Sequence, residues 1–350
     1  MKRVRWTLLL VLSLCFVLVV AACGNGSGTD ETATDSTNGE ENADNGSNGD
    51  VLTLKLGHQA QETTSFHQLA VKFKEIVEEK ADGRVEIEIY PQGQLGSNRE
   101  LMEAMQFGNL DFGVVSTPPL SGFTSEYMVL DLPFIFEDWD HVERWLASDN
   151  AQELLTVTDK VSMKSLSFMA LGTKQITNSK LPINTPSDLE GLDIRVIETP
   201  ITVQSYEAFG ANVRSMNWPD TYIALEQGAI DGQGNPLDII YNEKVFEVNN
   251  YLSKASMNFS FAVLTSSKDN FEALPEDIQE IMIEAAQEAA DYMNPINREE
   301  EGNYEALLKE EGMTINEVDR EPFKEHVSEV YEEFINEYGD KYFNGIEETR

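Results

Sequence analysis

Residues 188–236 read DLEGLDIRVIETPITVQSYEAFGANVRSMNWPDTYIALEQGAIDGQGNP, and this stretch decides the fold. Apolar runs and helix-period runs alternate along it, and Gly, Pro, Asn and Asp separate them. We predict strands at Asp193–Ile197, Asn212–Met216 and Ile230–Gly232, and helices at Pro200–Gly210 and Pro219–Gln227. Strands that alternate with helices in this way predict a parallel sheet with covering helices.

The same order of elements occurs earlier in the chain. Strands are predicted at 51–57, 85–89 and 110–116, and helices at 66–77 and 99–108, with a Gly-rich loop at 91–97. The two halves are most alike where a helix runs into a strand, since EAMQFGNLD at 103–111 matches IALEQGAID at 223–231. In both segments a glycine follows the helix, and an apolar residue and Asp then open the next predicted strand.

This repetition predicts an α/β protein of two domains, each with a central sheet flanked by helices. We place the first domain at 51–171 plus about 259–300 and the second at 172–258. Two further helices are predicted, at Glu276–Glu301 and Phe323–Tyr338. Residues 301–350 are interpreted as a C-terminal helical region that packs on both domains.

The first 50 residues have the composition of an export signal and a spacer. Lys2, Arg3 and Arg5 precede an apolar run at 8–20, and Ala21 and Ala22 precede a cysteine. We interpret 1–22 as a lipoprotein signal peptide and Cys23 as the lipidated residue; the alternative is ordinary cleavage near Ala22. Residues 23–50 are Gly-, Ser-, Asn- and acid-rich, which predicts a disordered acidic tether.

Composition argues against several classes of function. The formal net charge of −37 opposes nucleic-acid binding, and Cys15 lies in the predicted signal, so Cys23 is the only cysteine left. The four histidines are scattered, and neither a nucleophile elbow nor a phosphate-binding or dinucleotide motif is found. We therefore expect no enzyme, no metal and no cofactor. A purely structural or adhesive surface lipoprotein is a further alternative.

Polar side chains are predicted where the strands end, and ligands of open α/β sheets bind beyond the carboxyl ends of the strands. Ser116 and Asn235 follow the two matched Asp residues by five and four positions, and His58 ends the first strand. Arg195 lies within a strand between two apolar residues, so its side chain points opposite to theirs. From the residues alone each has an ordinary alternative: an ion-paired surface arginine, a turn asparagine, a loop serine, a histidine at the rim.

Together LEGLDIRV, FGANVRSMNWPDTYIALEQGAIDGQGNP and GQLGSNREL resemble the solute-binding proteins of tripartite ATP-independent periplasmic (TRAP) transporters, the DctP-type family. The resemblance extends from Leu52 to about Tyr338. It implies a periplasmic-binding-protein-like fold whose two domains close on an organic acid. It also implies delivery of the acid to TRAP permease membrane subunits coupled to an ion gradient. Together with the predicted signal and Cys23, this leads us to expect a monomer outside the cytoplasm, held on a lipid anchor.

The resemblance also implies roles for individual residues. Arg195 matches the arginine that makes a bidentate salt bridge to the ligand carboxylate, and Asn235 matches the asparagine that contacts the ligand. Gly234 replaces a glutamate of the family's DGQENP turn. Lys174 stands where the family often has a second arginine, so the charge is kept but the bidentate fork is lost.

Weaker assignments go to His58, Glu100 and Ser116, which lie where members that bind sugar acids tend to place polar contacts, and Gln94 is a further polar candidate. Because these side chains suit a ligand with hydroxyl groups, we expect a monovalent sugar acid such as a uronate or aldonate. The alternative is a C4-dicarboxylate or a short hydroxy or keto acid, which would favour a second strong cation.

Overall fold

The computed structural model describes residues 51–350, so the predicted signal peptide, Cys23 and the tether lie outside the described residues. The strands are β1 Leu52–Gly57, β2 Val85–Tyr90, β3 Phe112–Ser116, β4 Met163–Thr173, β5 Gln175–Asn178, β6 Asp193–Val196, β7 Asn212–Ser215, β8 Gly232–Asn235, β9 Tyr251–Lys254, β10 Phe259–Ser267 and β11 Thr314–Glu317. The helices are α1 Ser65–Lys80, α2 Asn98–Gln106, α3 Trp139–Leu146, α4 Asp149–Thr156, α5 Pro200–Ala208, α6 Trp218–Glu226, α7 Leu237–Asn242, α8 Lys268–Glu272, α9 Glu276–Glu310, α10 Glu321–His326, α11 Ser328–Tyr338 and α12 Lys341–Glu347.

The strands form two sheets with the same internal arrangement. The first has the order β2-β1-β3-β10-β4, and the second, read from its other edge, has the order β7-β6-β8-β5-β9-β11. In each, two parallel pairs are followed by an antiparallel one, β3 with β10 and β8 with β5. The predicted α/β class, with two similar halves, is confirmed.

The matched helix-to-strand segments have the same local structure in both halves. Gly108 and Gly228 follow α2 and α6 with φ of 69° and 68°, a conformation that glycine adopts without steric cost. The Asp of each segment then accepts a hydrogen bond from the backbone of the neighbouring parallel strand. Asp111 accepts from the Lys55 N–H at 2.8 Å, and Asp231 accepts from the Asp193 N–H at 3.0 Å.

Most predicted boundaries differ from the structure by one to three residues, and three elements differ in a way that has a structural reason or changes the helix count. The last strand of the second half is Gly232–Asn235 rather than 230–232, because these residues pair with β5 on one side and β6 on the other. A Cβ at Gly232 would lie 2.2 Å from the Thr177 carbonyl oxygen, so only glycine permits this close approach.

The C-terminal helices differ in length from the prediction. Helix α9 continues through Pro295 to residue 310, beyond the predicted end at 301. The predicted single helix at 323–338 is two helices, α10 and α11, separated at Val327.

Helix α9 is long enough to pack against both sheets. Its first half buries Ile278, Met282 and Ala289 in the core of the first sheet. Near its end Leu308 joins a cluster with Leu252 of the second sheet. No helix among residues 51–350 combines the length and apolar character that crossing a membrane requires.

The chain passes from one sheet to the other through α9 and at two shorter, adjacent crossings, from β4 to β5 and from β9 to β10. The two crossing segments are hydrogen-bonded to each other, since the Lys174 N–H donates to the Asn258 carbonyl at 2.8 Å and the Met257 N–H donates to the Lys174 carbonyl at 3.1 Å. This ladder brings Lys174 and Asn258 to the boundary between the sheets.

Candidate functional site

Two small adjoining cavities, each of about 50 Å³, lie where residues of both sheets meet. Both are lined by Ser116, Arg195, Ile197, Asn235 and Ser260. The first also contains Gln59, Trp218 and Glu243, and the second also contains Lys174, Tyr206, Gly234 and Asn258. Because these cavities share one wall, we treat them as one cleft.

Arg195 is the central cation of the cleft. Strand β6 places it opposite Gln233 of β8, and its side chain is only 5% exposed. Its Nε and Nη2 donate to the Met216 carbonyl oxygen at 3.1 and 2.8 Å, which fixes one edge of the guanidinium. Within residues 51–350 no carboxylate pairs with Arg195, and its Nη1 has no hydrogen-bond acceptor.

The surroundings of Arg195 are apolar and aromatic. The guanidinium lies over the Trp218 ring, with 5.4 Å from its central carbon to the ring centroid, a cation–π arrangement. Burial lowers the pKa of Arg195 to about 10, and the nearby Tyr206 acts in the opposite direction. The group is therefore charged at neutral pH, in a place where a charge without a partner is costly.

The two predicted polar contacts Asn235 and Ser116 both line the cleft. Asn235 ends β8, where it is paired with Gln175 of β5. Ser116 ends β3 in the first sheet, and its hydroxyl accepts a hydrogen bond from the Asn98 amide at 3.0 Å. Side chains from opposite sheets can therefore approach one ligand from two sides.

Lys174 is half-buried and lines the second cavity. Burial lowers the pKa of Lys174; the buried Asp131 raises it and Arg195 lowers it further. Burial raises the pKa of Asp131 to about 6, against the influence of Lys174 and Thr199. The Asp131 Oδ2 atom has no hydrogen-bond partner within residues 51–350. Lys174 and the buried Asp131 therefore influence each other's pKa electrostatically.

Three other predicted contacts do not line either cavity. His58 is fully buried, and its Nε2 lies 3.0 Å from the Nδ1 of His67. Glu100 is exposed and caps α2, because its Oε2 accepts from the Ser97 N–H at 2.7 Å and from the Ser97 hydroxyl at 2.9 Å. Gln94 is exposed in the loop before α2.

Several lining residues were not predicted from the sequence. Trp218 lies in the quoted NWPD run, where an aromatic residue at a helix start was the available clue. Asn258 and Ser260 alternate with Phe259 and Phe261, a pattern that indicates a strand with one polar face. Nothing in the pattern of α5 distinguishes Tyr206 from an ordinary core residue. No cluster of three potential metal ligands occurs within residues 51–350.

Comparison with known proteins places this arrangement in context. Residues 56–337 match the family described as "Bacterial extracellular solute-binding protein, family 7". The 2,3-diketo-L-gulonate-binding periplasmic protein YiaO of Escherichia coli (strain K12) is 28% identical over 81% of this chain and 88% of YiaO. The C4-dicarboxylate-binding protein DctB of Bacillus subtilis (strain 168) is 29% identical over 86% of this chain and 87% of DctB.

A solved structure shares the fold as well. A TRAP periplasmic solute binding protein from Polaromonas sp. JS666, bound to D-erythronate, superposes with a TM-score of 0.82 at 31% identity. The superposition covers 84% of this chain and 98% of that protein. The two-domain arrangement of these binding proteins agrees with the two sheets and the long C-terminal helix described above.

The buried histidine predicts a pH dependence of stability. Burial, and secondarily His67, lowers the pKa of His58 from 6.5 to about 4. The unfolded chain therefore binds this proton at higher pH than the folded one, so stability falls as pH drops from about 6.5 to about 4. We expect a loss of up to about 3 kcal/mol from this group.

Urea unfolding at a series of pH values measures this slope. His58→Gln should flatten it over that range, whatever its effect on stability at pH 7. The control His326→Gln changes an exposed histidine and should leave the slope unaltered. A wild-type slope retained in His58→Gln would contradict the assignment.

Proposed function

We propose, because this chain belongs to the bacterial extracellular solute-binding proteins of family 7, that it captures a small organic acid for a TRAP transporter. The observation that carries the proposal is the guanidinium of Arg195. One of its edges is held by a backbone carbonyl, and within residues 51–350 it forms no ion pair although it lines the cleft. Glu243, which also lines the cleft, accepts a hydrogen bond from the Gln61 N–H at 3.0 Å. An arginine held in this way is suited to bind a carboxylate through two parallel hydrogen bonds.

We propose a sugar acid with one carboxylate, such as a uronate or aldonate, as the ligand. Arg195 is the almost fully buried cation of the cleft, whereas the pKa of Lys174 is lowered by burial and by Arg195 and raised by the buried Asp131. Around Arg195 stand uncharged hydrogen-bonding groups that suit a ligand with several hydroxyls, namely Ser116, Asn235, Asn258 and Ser260. YiaO and the Polaromonas protein, by their names, bind acids of this kind.

A C4-dicarboxylate or a short hydroxy or keto acid is the second candidate, and the similarity to DctB favours it. A second carboxylate would pair with Lys174. Lys174 lines the cleft, so this is sterically accessible. The charge balance of the cleft ranks it below the sugar acid.

Delivery would use two lobes, 51–171 plus about 259–300 and 172–258, with 301–350 packed on both. The two crossing segments at Lys174 and Asn258 would act as the hinge. The closed form of a monomer would then be what the permease recognises. YiaO and DctB are named as binding proteins, and we likewise assign this chain no catalytic role.

We also propose that Cys23 carries lipid and holds the protein at the outer face of the cell membrane. Intact mass measurement of the protein expressed with its own N-terminus tests this. We expect a chain that begins at Cys23 with an added diacylglyceryl mass, and a Cys23→Ser variant that lacks this mass. A wild-type N-terminus without lipid would contradict the proposed anchor.

Replacing Arg195 should abolish ligand binding. Arg195→Ala leaves a buried carboxylate without its charge partner, which costs ~3 kcal/mol or more, on the order of a hundredfold in affinity. Arg195→Lys should also weaken binding because it loses the fork. Isothermal titration calorimetry measures both changes.

The chain contains a matched control for this test. Arg214 is the register neighbour of Arg195 on β7, but it is exposed and pairs with Asp193 at 2.8 Å. Arg214→Ala should bind like the wild type. Tight binding by Arg195→Ala, or equal losses in both variants, would contradict the assigned role.

A thermal-shift screen over uronates, aldonates, dicarboxylates and keto acids identifies the ligand class. A ligand present at 100 times its dissociation constant should stabilise the protein by about 2.7 kcal/mol. We expect the largest shifts from monovalent sugar acids. Larger shifts from C4-dicarboxylates would favour the second candidate, and shifts only from neutral sugars or amino acids would contradict both.

A further inference from the structure

Gly234 and Tyr206 are matched in the second cavity. We infer that Tyr206 sets ligand selectivity: its hydroxyl lies in the space that Gly234 leaves open and binds a hydroxyl of the acid held by Arg195. This inference rests on the proposed function, because it requires the acid to lie at Arg195. It adds a residue whose role was not predicted from the sequence.

The hydroxyl of Tyr206 is placed for contact with a ligand. Helix α5 carries Tyr206, whose side chain is 6% exposed and packs edge-on against Phe209. It lines the same cavity as Arg195, Lys174 and Asn235. Within residues 51–350 its hydroxyl makes no hydrogen bond, and Tyr206 borders the open cavity. A bound ligand would supply a partner.

Its protonation state suits a hydrogen-bond donor. Burial raises the pKa of Tyr206, and Arg195 opposes that change only in part. The phenol is therefore neutral at physiological pH. It can donate to or accept from a ligand hydroxyl without adding a negative charge beside Arg195.

Gly234 is required for space rather than for backbone conformation. Its φ is not in the left-handed region, yet a Cβ there would lie 2.6 Å from the Tyr206 hydroxyl oxygen. The Tyr206 ring carbon that bears the oxygen would be 3.7 Å away, which is ordinary contact. Only the hydroxyl therefore conflicts with a side chain at position 234.

The pair changes the chemistry of the cleft. In the resembling DGQENP turn a glutamate stands at position 234, whereas here the glycine leaves that space to a neutral hydroxyl from α5. Exchanging a side-chain carboxylate for a phenol removes a negative charge from the cavity wall. No carboxylate at position 234 then competes with the ligand for Arg195. The Tyr206 hydroxyl can also form a hydrogen bond with a ligand hydroxyl.

A double-mutant cycle tests the geometry without any ligand. Gly234→Ala should lower the thermal midpoint in the Tyr206 background, because the added methyl overlaps the hydroxyl. In the Tyr206→Phe background the same change should have little effect, since the methyl then meets only the ring. Equal losses in both backgrounds would overturn the pairing of the two residues.

Calorimetric titration with three acids tests the selectivity. Tyr206→Phe should weaken D-erythronate and D-glucuronate about tenfold, as expected for one lost hydrogen bond, and should change succinate, which has no hydroxyl, less than twofold. The control Tyr222→Phe removes a hydroxyl that donates to Glu247 and should change none of them.

Each other outcome has one meaning. If the wild type binds one of the hydroxylated acids and Tyr206→Phe binds it unchanged, or loses succinate equally, Tyr206 does not read a hydroxyl. If the wild type binds only succinate, the hydroxyl contact is overturned while acid binding stands. If the wild type binds none of the three acids, the proposed function fails for these ligands, and this inference fails with it.

Discussion

The candidate site is organised around one buried guanidinium, which forms no ion pair with any carboxylate among residues 51–350. Arg195 is almost fully buried, and the partners found for it are the Met216 carbonyl and the Trp218 ring. Removing such a group from water costs several kcal/mol, which a dipole and an aromatic face offset only in part. A ligand carboxylate would offset the remaining cost of burying this charge, and a neutral ligand would not. The buried guanidinium would therefore favour the binding of an acid.

The duplicated fold is what allows this arrangement. Each sheet ends a parallel strand at the same boundary, so Ser116 of β3 and Asn235 of β8 face one cleft from opposite sides. Asp111 and Asp231, which make the halves look alike in sequence, also hold the starts of these strands. Their carboxylates accept hydrogen bonds from backbone N–H groups of the neighbouring strands. The crossing segments then add Lys174 and Asn258 at the place where the sheets join.

Local pattern was enough to predict the fold, whereas for Arg195 it left an ion-paired surface arginine as an alternative, and the binding role assigned to it came from the family resemblance. Alternating strands and helices, repeated with a shared glycine and Asp, required two similar α/β halves, and an arginine in an apolar strand was conspicuous in a chain of net charge −37. Strand-end position alone was a weaker guide, because the end of a strand can be buried or exposed. It placed Ser116 at the cleft, but it also selected His58, which is buried against His67. Glu100 was selected by resemblance, and its carboxylate is committed to capping α2.

Tyr206 could not have been predicted, because its role depends on space left by a glycine 28 positions away in sequence. The roles proposed for Arg195 and Tyr206 both depend on where the acid lies in the cleft. A crystal structure of the protein with D-glucuronate measures this most directly. We expect two oxygens of one carboxylate at about 2.8 Å from the terminal nitrogens of Arg195, with no contact between Lys174 and that carboxylate. A ligand carboxylate held by Lys174, with Arg195 unliganded, would contradict the account.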